Sequence, residues 1–167
     1  LANELEDSIA DLRGLAYNLM HARIPNSIIK MQKVGEISTW MAKQFNEFDD
    51  TQISDIEIAA SLCDCGKLIL PDSMIKSPVV LDGQATHPLM HQVPIQSKEI
   101  LSKVVRFKNS ATFLYHVYEN FDGTGFPDKL QSWQIPLASR IIRVASDYFD
   151  LITLQKKTSK EALLIMA

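Results

Sequence analysis

Two cysteines in 167 residues exclude a disulfide framework and fit a reducing cytoplasm. Glycine and proline are scarce as well, at six and seven, together about 8% against a usual ~12%. That shortage argues against a turn-rich all-β fold and for long helices. No apolar run approaches the ~18 residues of a membrane span, and no signal-peptide pattern is present. Basic charge is not in excess: 17 Lys+Arg against 20 Asp+Glu give −3. No bulk positive field therefore attracts a nucleic acid polymer or an anionic membrane. What is present is an ordinary globular balance, 46% hydrophobic and 22% charged, in a length that suits one domain. The chain opens on Leu1 and stops at Ala167 just after a helix start, as expected of a fragment with a truncated C-terminal end.

Residues 1–22 read as one connector helix. Leu1, Leu5, Leu12, Leu15 and Leu19 alternate spacings of four and three, with Ser8 in the one polar slot. Such a heptad seam suits either an amphipathic helix lying on its own core or a coiled-coil link to a missing N-terminal module. The seam also allows a homodimer through this helix. Pro25 permits a new helix, whose face is marked by Ile28, Met31, Val34, Ile37, Met41 and Phe45, and Asp49-Asp50 closes that segment. Ser54-Asp55-Ile56-Glu57 has the capping-box spacing, and the helix it starts is apolar on most sides up to Gly66. Turn signals at Pro71-Asp72, Ser77-Pro78 and Asp82-Gly83 mark 68–83 as loop. Helices are expected over 94–105, 111–118 and 137–152, with an irregular excursion over 120–136. Thr158 to Glu161 is a second capping box. No segment alternates with period two for long enough to predict a strand. The reading is an all-α single domain of six or seven helices, residues 23–167, behind the connector.

Two segments carry a more specific signal. One is Leu62-Cys63-Asp64-Cys65-Gly66-Lys67, followed by Ile69 and Pro71-Asp72. The other is Glu119-Asn120-Phe121-Asp122-Gly123-Thr124-Gly125-Phe126-Pro127, followed by Ile135-Pro136-Leu137-Ala138 and Arg140-Ile141-Ile142. With this spacing the chain resembles the HD-GYP family of bacterial phosphohydrolases from about residue 28 to 163. The resemblance implies an HD-domain-like helical bundle, a place in signal transduction, and a multinuclear metal centre that cleaves cyclic di-GMP. Phosphodiester hydrolysis asks for metal-bound hydroxide and for charge to offset the phosphate, hence for His and carboxylate ligands converging from several helices.

Position by position, this sequence departs from the pattern the resemblance implies. Where the family has its His-Asp pair, this chain has Cys63-Asp64, and Lys67 is retained. In the early ligand stretch, 27–34, Met31 or Lys30 stands where a His is expected. Before Pro94 the expected His is Val93, with Glu99-Ile100-Leu101 fixing the register. The two adjacent His ahead of the Asp-Gly loop are Val117 and Tyr118, with His116 displaced by one. The following Arg is Asn120. The late ligand Asp aligns with Ser146 without a gap, or with Asp147 if one residue is inserted. The basic loop that helps hold the nucleotide is shortened to 154–157. Val, Met and Tyr cannot replace imidazole at a Mg, Mn or Fe site. The vestigial motif positions are then Asp64, Lys67 and Asp122, and the residual ligand candidates are Asp64, Asp147 and His116.

Each feature also has a plain structural reading. Buried Cys on an apolar helix is usually a small hydrophobe, and Cys63 and Cys65 alone make a weak zinc clip. Asp64 suits a helix-end acceptor, and Lys67 suits the negative end of the helix dipole. His87 and His91 lie four apart, but Pro88 interrupts a helix across them. Gly123, Thr124, Gly125, Phe126 and Pro127 form either a covering turn or a partner-docking loop in which Phe126-Pro127 presents an apolar knob. Trp133 nearby suits either an exposed anchor or core packing. The expectation is a catalytically inactive HD-GYP-like interaction module, the output part of a larger bacterial regulator such as a response regulator, with a protein partner and no cofactor. The alternatives are a cyclic di-GMP phosphodiesterase with an unusual Mn, Fe or Mg site, and a non-hydrolysing cyclic di-GMP receptor. Replacing His by apolar residues also predicts that the vacated site is filled.

Overall fold

The computed structural model describes residues 2–24 and 27–166, with the side chains of 2–6 outside the description. Leu1, Pro25 and the side chain of Leu5, which entered the expectations above, therefore lie outside the described residues. Among the described residues seven α-helices follow in order: α1 (Ala2–Arg23), α2 (Ser27–Ala42), α3 (Asp50–Ser61), α4 (Gln92–Leu101), α5 (Lys108–Tyr115), α6 (Leu137–Thr153) and α7 (Ser159–Met166). A minimal antiparallel hairpin, β1 (Val80–Leu81) and β2 (Gln84–Ala85), turns at Asp82-Gly83. The all-α reading holds. The hairpin was not expected, because two-residue strands leave no periodicity to read.

Helix α3 is central. It packs between α2 and α5, and Ile56, Ile58, Ala59 and Ala60 are all buried. It starts one turn earlier than the Ser54 capping box predicts. Asp49 accepts from the backbone N–H of Gln52 (2.8 Å), and the Gln52 side chain accepts from the backbone N–H of Asp49 (2.9 Å). A carboxylate cap outcompetes a serine hydroxyl and also favours the positive helix end. Asp49-Asp50 thus opens α3 instead of closing the preceding segment. Asp55, inside the helix and fully buried, is ion-paired to Arg106 and accepts from Asn109 Nδ2 (2.8 Å). This pairing ties α3 to the start of α5.

Two further helices begin and end earlier than expected. The apolar residues Val104 and Val105 belong to a 3-10 turn after α4, and Val117 and Tyr118 follow the end of α5. The Thr158 box is present: Glu161 accepts from Thr158 N–H (2.8 Å) and starts α7. In α6, the positions Ala138, Ile141, Ile142, Ala145 and Phe149 are buried on one face, the three/four spacing of an amphipathic helix. That face lies against α2.

The excursion after α5 is pinned from within. Glu119 is buried, and its carboxylate accepts from the backbone N–H of Asp128 (2.7 Å) and of Leu130 (3.0 Å). A Cβ on Gly125 would collide with the Asn120 backbone nitrogen, so only glycine fits there. No helix among the described residues is long and apolar enough to cross a membrane.

Candidate functional site

The Asp64 motif lies where α3 gives way to a 3-10 turn, Cys65–Ile69. That turn packs on α4 so closely that a Cβ on Gly66 would strike the carbonyl oxygen of Val93. Gly66 N–H donates to Ser97 Oγ (3.1 Å). The absent side chain therefore sets the height of the turn over α4 and places Asp64 and Lys67 side by side, both buried.

Two other helices meet them there. From α2, Lys30 sends its ammonium to Asp64 Oδ2 (3.5 Å) and to Asp150 Oδ1 (2.9 Å), and donates to Asp150 Oδ2 (3.0 Å). Lys67 Nζ is 3.7 Å from Asp64 Oδ1. The cluster thus has two carboxylates and two ammonium groups drawn from α2, α6 and the turn after α3. Burial alone would drive Lys30 down, but Asp64 and Asp150 outweigh it and hold its pKa well above the ordinary lysine value. Burial would raise Asp64, yet Lys30 and Lys67 pull it below the usual carboxylate range. Asp150 titrates above that range, because burial and the Asp64 charge exceed the help from Lys30. Around neutral pH, Lys30 is a charged cation held by carboxylates.

The positions where the resemblance implies His are apolar core. Met31 and Val93 are wholly buried, and Cys63, Val117 and Tyr118 nearly so. The Tyr118 phenol is pushed far up by burial and by the Asp64 charge. Burial and the same charge raise the Cys63 thiol, and burial pushes Cys65 up to about 12. Neither thiol offers the thiolate that binds metal. Among the described residues no group of three or more His, Cys, Asp or Glu side chains is placed to hold a metal ion. The donor set does not fit a divalent ion: an ammonium stands between the carboxylates, and the thiol beside them is protonated.

The expected filling is only partial. Beside Lys30, Asp64 and Asp150 remains a cavity of about 520 Å³, reached also by Ser27, Lys67 and Lys76. The apolar replacements Met31, Val93, Val117 and Tyr118 are buried in the core and are not among the residues lining this cavity.

Of the residual candidates, only Asp64 belongs to this cluster. Asp147 pairs with Arg143 (2.5 Å) instead, and Ser146 is buried on the same helix. The carboxylate that reaches the site is Asp150, four residues beyond Ser146. An i, i+4 step keeps a side chain on one face of a helix, the signal that could have found it. His116 stays with the loop: its Nδ1 is 3.9 Å from Glu119 Oε1, and its charged neighbours are Asp128, Glu119 and Lys98. Asp122 makes a local turn, accepting from Thr124 N–H (2.9 Å) and Oγ1 (2.6 Å). His87 caps a 3-10 turn and His91 stacks on Phe126 (centroids 4.3 Å).

The loop does not present Phe126 as a knob. Phe126 is buried between His91 and Tyr118, because Gly125 lets the backbone close onto Glu119 and Asn120. The exposed apolar groups are Phe121 and Trp133, edge to face at 5.5 Å, with the Arg140 guanidinium 5.0 Å from the Trp133 ring.

Comparison with known proteins places this geometry. A family model described as HD domain matches residues 11–167. The chain is 30% identical over 162 residues to the cyclic di-GMP phosphodiesterase response regulator RpfG of Xanthomonas campestris pv. campestris, covering 96% of this chain and 42% of that protein. It is 30% identical over 149 residues to 3'3'-cGAMP-specific phosphodiesterase 2 of Vibrio cholerae, covering 84% of this chain and 27% of that protein. A cyclic di-GMP phosphodiesterase of Thermotoga maritima is 26% identical over 151 residues, with 88% of this chain and 40% of that protein covered. The chain thus spans less than half the length of these relatives.

Proposed function

The chain belongs to the HD domain family, in its HD-GYP group, and from that premise we propose that it is a non-hydrolysing signalling module in which a lysine has taken over the metal's position. The observation that carries this reading is the Lys30 ammonium, 2.9 Å from Asp150 and 3.5 Å from Asp64. Beside Asp64, the carboxylate of the family motif that this chain keeps, stands a tethered positive charge. An ion of charge two would have to displace it. The lysine balances the carboxylates but binds no water to ionise, and metal-generated hydroxide is what this hydrolysis needs near neutral pH. Met31, Val93, Val117 and Tyr118 support the same reading by offering no imidazole. A relative named as a response regulator supports a place in signalling with a protein partner.

The names of the relatives favour a second reading, a phosphodiesterase for cyclic di-GMP or 3'3'-cGAMP. On this reading the chain would rely on Asp64, Asp150 and an atypical donor set. One assay separates the two: incubation with cyclic di-GMP and with 3'3'-cGAMP in Mn²⁺ or Fe²⁺, followed by chromatography of the products. The proposal expects intact dinucleotide at any enzyme concentration. Linear dinucleotide or mononucleotide product, abolished by chelator, would establish the second reading.

A further inference from the structure

The cavity beside Lys30 carries more positive than negative charge. Three lysines line it, Lys30, Lys67 and Lys76, against two aspartates, Asp64 and Asp150. Lys30 answers both carboxylates, 2.9 Å from Asp150 and 3.5 Å from Asp64. Lys67 is buried, yet its ion pair to Asp64, at 3.7 Å, is longer than a hydrogen bond. Lys76 is exposed and has no ion pair among the described residues. The first turn of α2 reaches the cavity through Ser27 and Ile29 and adds the positive end of a helix. Ser27 is 3% exposed, and its Oγ has no hydrogen-bond partner. A buried hydroxyl left unpaired is costly, so an acceptor arriving from the cavity would complete it. The rest of the lining is apolar. Ile75 and Phe149 are buried along it, whereas Ile29 and Leu154 are exposed by 56% and 55%.

We propose that this cavity binds an organic monocarboxylate with an apolar tail, of the medium-chain fatty-acid type. The proposal rests on the reading that Lys30, and no metal, balances Asp64 and Asp150. The ligand carboxylate lies between Lys67 and Lys76 and accepts from the Ser27 hydroxyl. Its tail runs along Ile75 and Phe149 and out past Ile29 and Leu154. Charge sets the head group. One lysine in excess matches one negative charge, whereas the second charge of a dianion such as inorganic phosphate would meet Asp64 and Asp150 with no cation left to offset it. The apolar lining sets the tail. Covering Ile29 and Leu154 takes two large exposed side chains out of water, and each methylene buried against them adds affinity. The volume, about 520 Å³, falls within the ~300–1,000 Å³ of small-ligand sites.

Isothermal titration of the 167-residue chain with octanoate, in EDTA to exclude metal, tests this. One saturable site is expected. Acetate, which lacks the tail, and 1-octanol, which lacks the charge, should each bind about tenfold or more weakly. Ser27→Ala should weaken octanoate by about tenfold. It should leave the free protein as stable as before or more so, because the hydroxyl it removes is unpaired. Lys76→Met, at an exposed position, should also weaken octanoate without changing the fold by circular dichroism. Nuclear Overhauser contacts should run from the octanoate methylenes to Ile75 and Phe149. The absence of a saturable site, contacts confined to other residues, equal affinity for inorganic phosphate, or binding indifferent to both Ser27→Ala and Lys76→Met would overturn the proposal. The reading beneath it fails separately: it falls if cyclic di-GMP is hydrolysed in Mn²⁺, whatever octanoate does.

Discussion

Replacing Lys30 by methionine keeps the length of the side chain and removes its charge. In the native protein the ammonium lies 2.9 Å from Asp150 and 3.5 Å from Asp64. At an effective dielectric of ~20 these two contacts amount to roughly 10 kcal/mol of gross attraction. Desolvation of three charges, several kcal/mol each, offsets most of it, so the intact cluster adds little net stability. The variant loses the attraction but keeps the desolvated carboxylates, with only Lys67, 3.7 Å from Asp64, left to answer them. Truncating one partner of a buried pair costs about 3–5 kcal/mol, a large part of the ~5–15 kcal/mol that holds an ordinary domain together. Urea unfolding followed by circular dichroism should show that loss. Lys30→Met combined with Asp150→Leu should recover much of it, because no uncompensated carboxylate then remains on α6. Mn²⁺ provides a second readout: it should raise the melting temperature of Lys30→Met, by mass action on a newly vacant anionic site, and leave the wild type unmoved. A cost below ~1 kcal/mol, with no recovery in the double variant, would refute the reasoning that Lys30 is the cation of this site.

Other predictions follow from the buried groups. Cys63 and Cys65 should resist a thiol reagent at pH 8 in the native protein and react with it, two equivalents per chain, in denaturant; burial holds Cys65 at about 12 and Cys63 higher still. Rapid native labelling would contradict the placement of both. Burial depresses His116, so below the ordinary ~6.5 the unfolded chain binds a proton that the folded histidine refuses. Stability should therefore fall as pH drops from the ordinary histidine range towards the depressed value, and His116→Gln should flatten that slope in unfolding curves. Glu119→Gln weakens the acceptor for the backbone N–H groups of Asp128 and Leu130 and should cost about 1.5–3 kcal/mol; an unchanged urea midpoint would show that the loop does not depend on this carboxylate.

How far the sequence reveals the molecule differs from place to place. The helical class is legible because the periodicity of α6 is strong, two capping boxes mark helix starts and turn residues are few. The start of α3 is not, since Asp49-Asp50 reads as the end of the preceding segment and the Ser54 box five residues later draws the start towards it, whereas the reciprocal bonds of Asp49 and Gln52 set the cap. The seam of α1 is legible as a pattern, but its direction is set by Ile9, Met20 and the Arg13–Glu57 pair, which a heptad count does not weigh. At the site, aligned positions identify the missing imidazoles. They do not identify the replacement, because Asp150 lies one helical turn beyond its aligned position, and Lys30, one of the two residues standing where a His is expected, meets its carboxylates only once α2 and α6 pack together. The docking knob fails for a related reason: Gly125 permits a close backbone approach that folds Phe126 inward.

Metal content tests the central claim most directly. The chain is purified without chelator, incubated with Mn²⁺ or Fe²⁺, desalted and measured by elemental mass spectrometry. If Lys30 stands as the cation beside Asp64 and Asp150, the protein retains well under one equivalent, and Mn²⁺ leaves its melting temperature unchanged. Retention of about two equivalents, with stabilisation by Mn²⁺, would contradict the account that Lys30 stands in place of the metal.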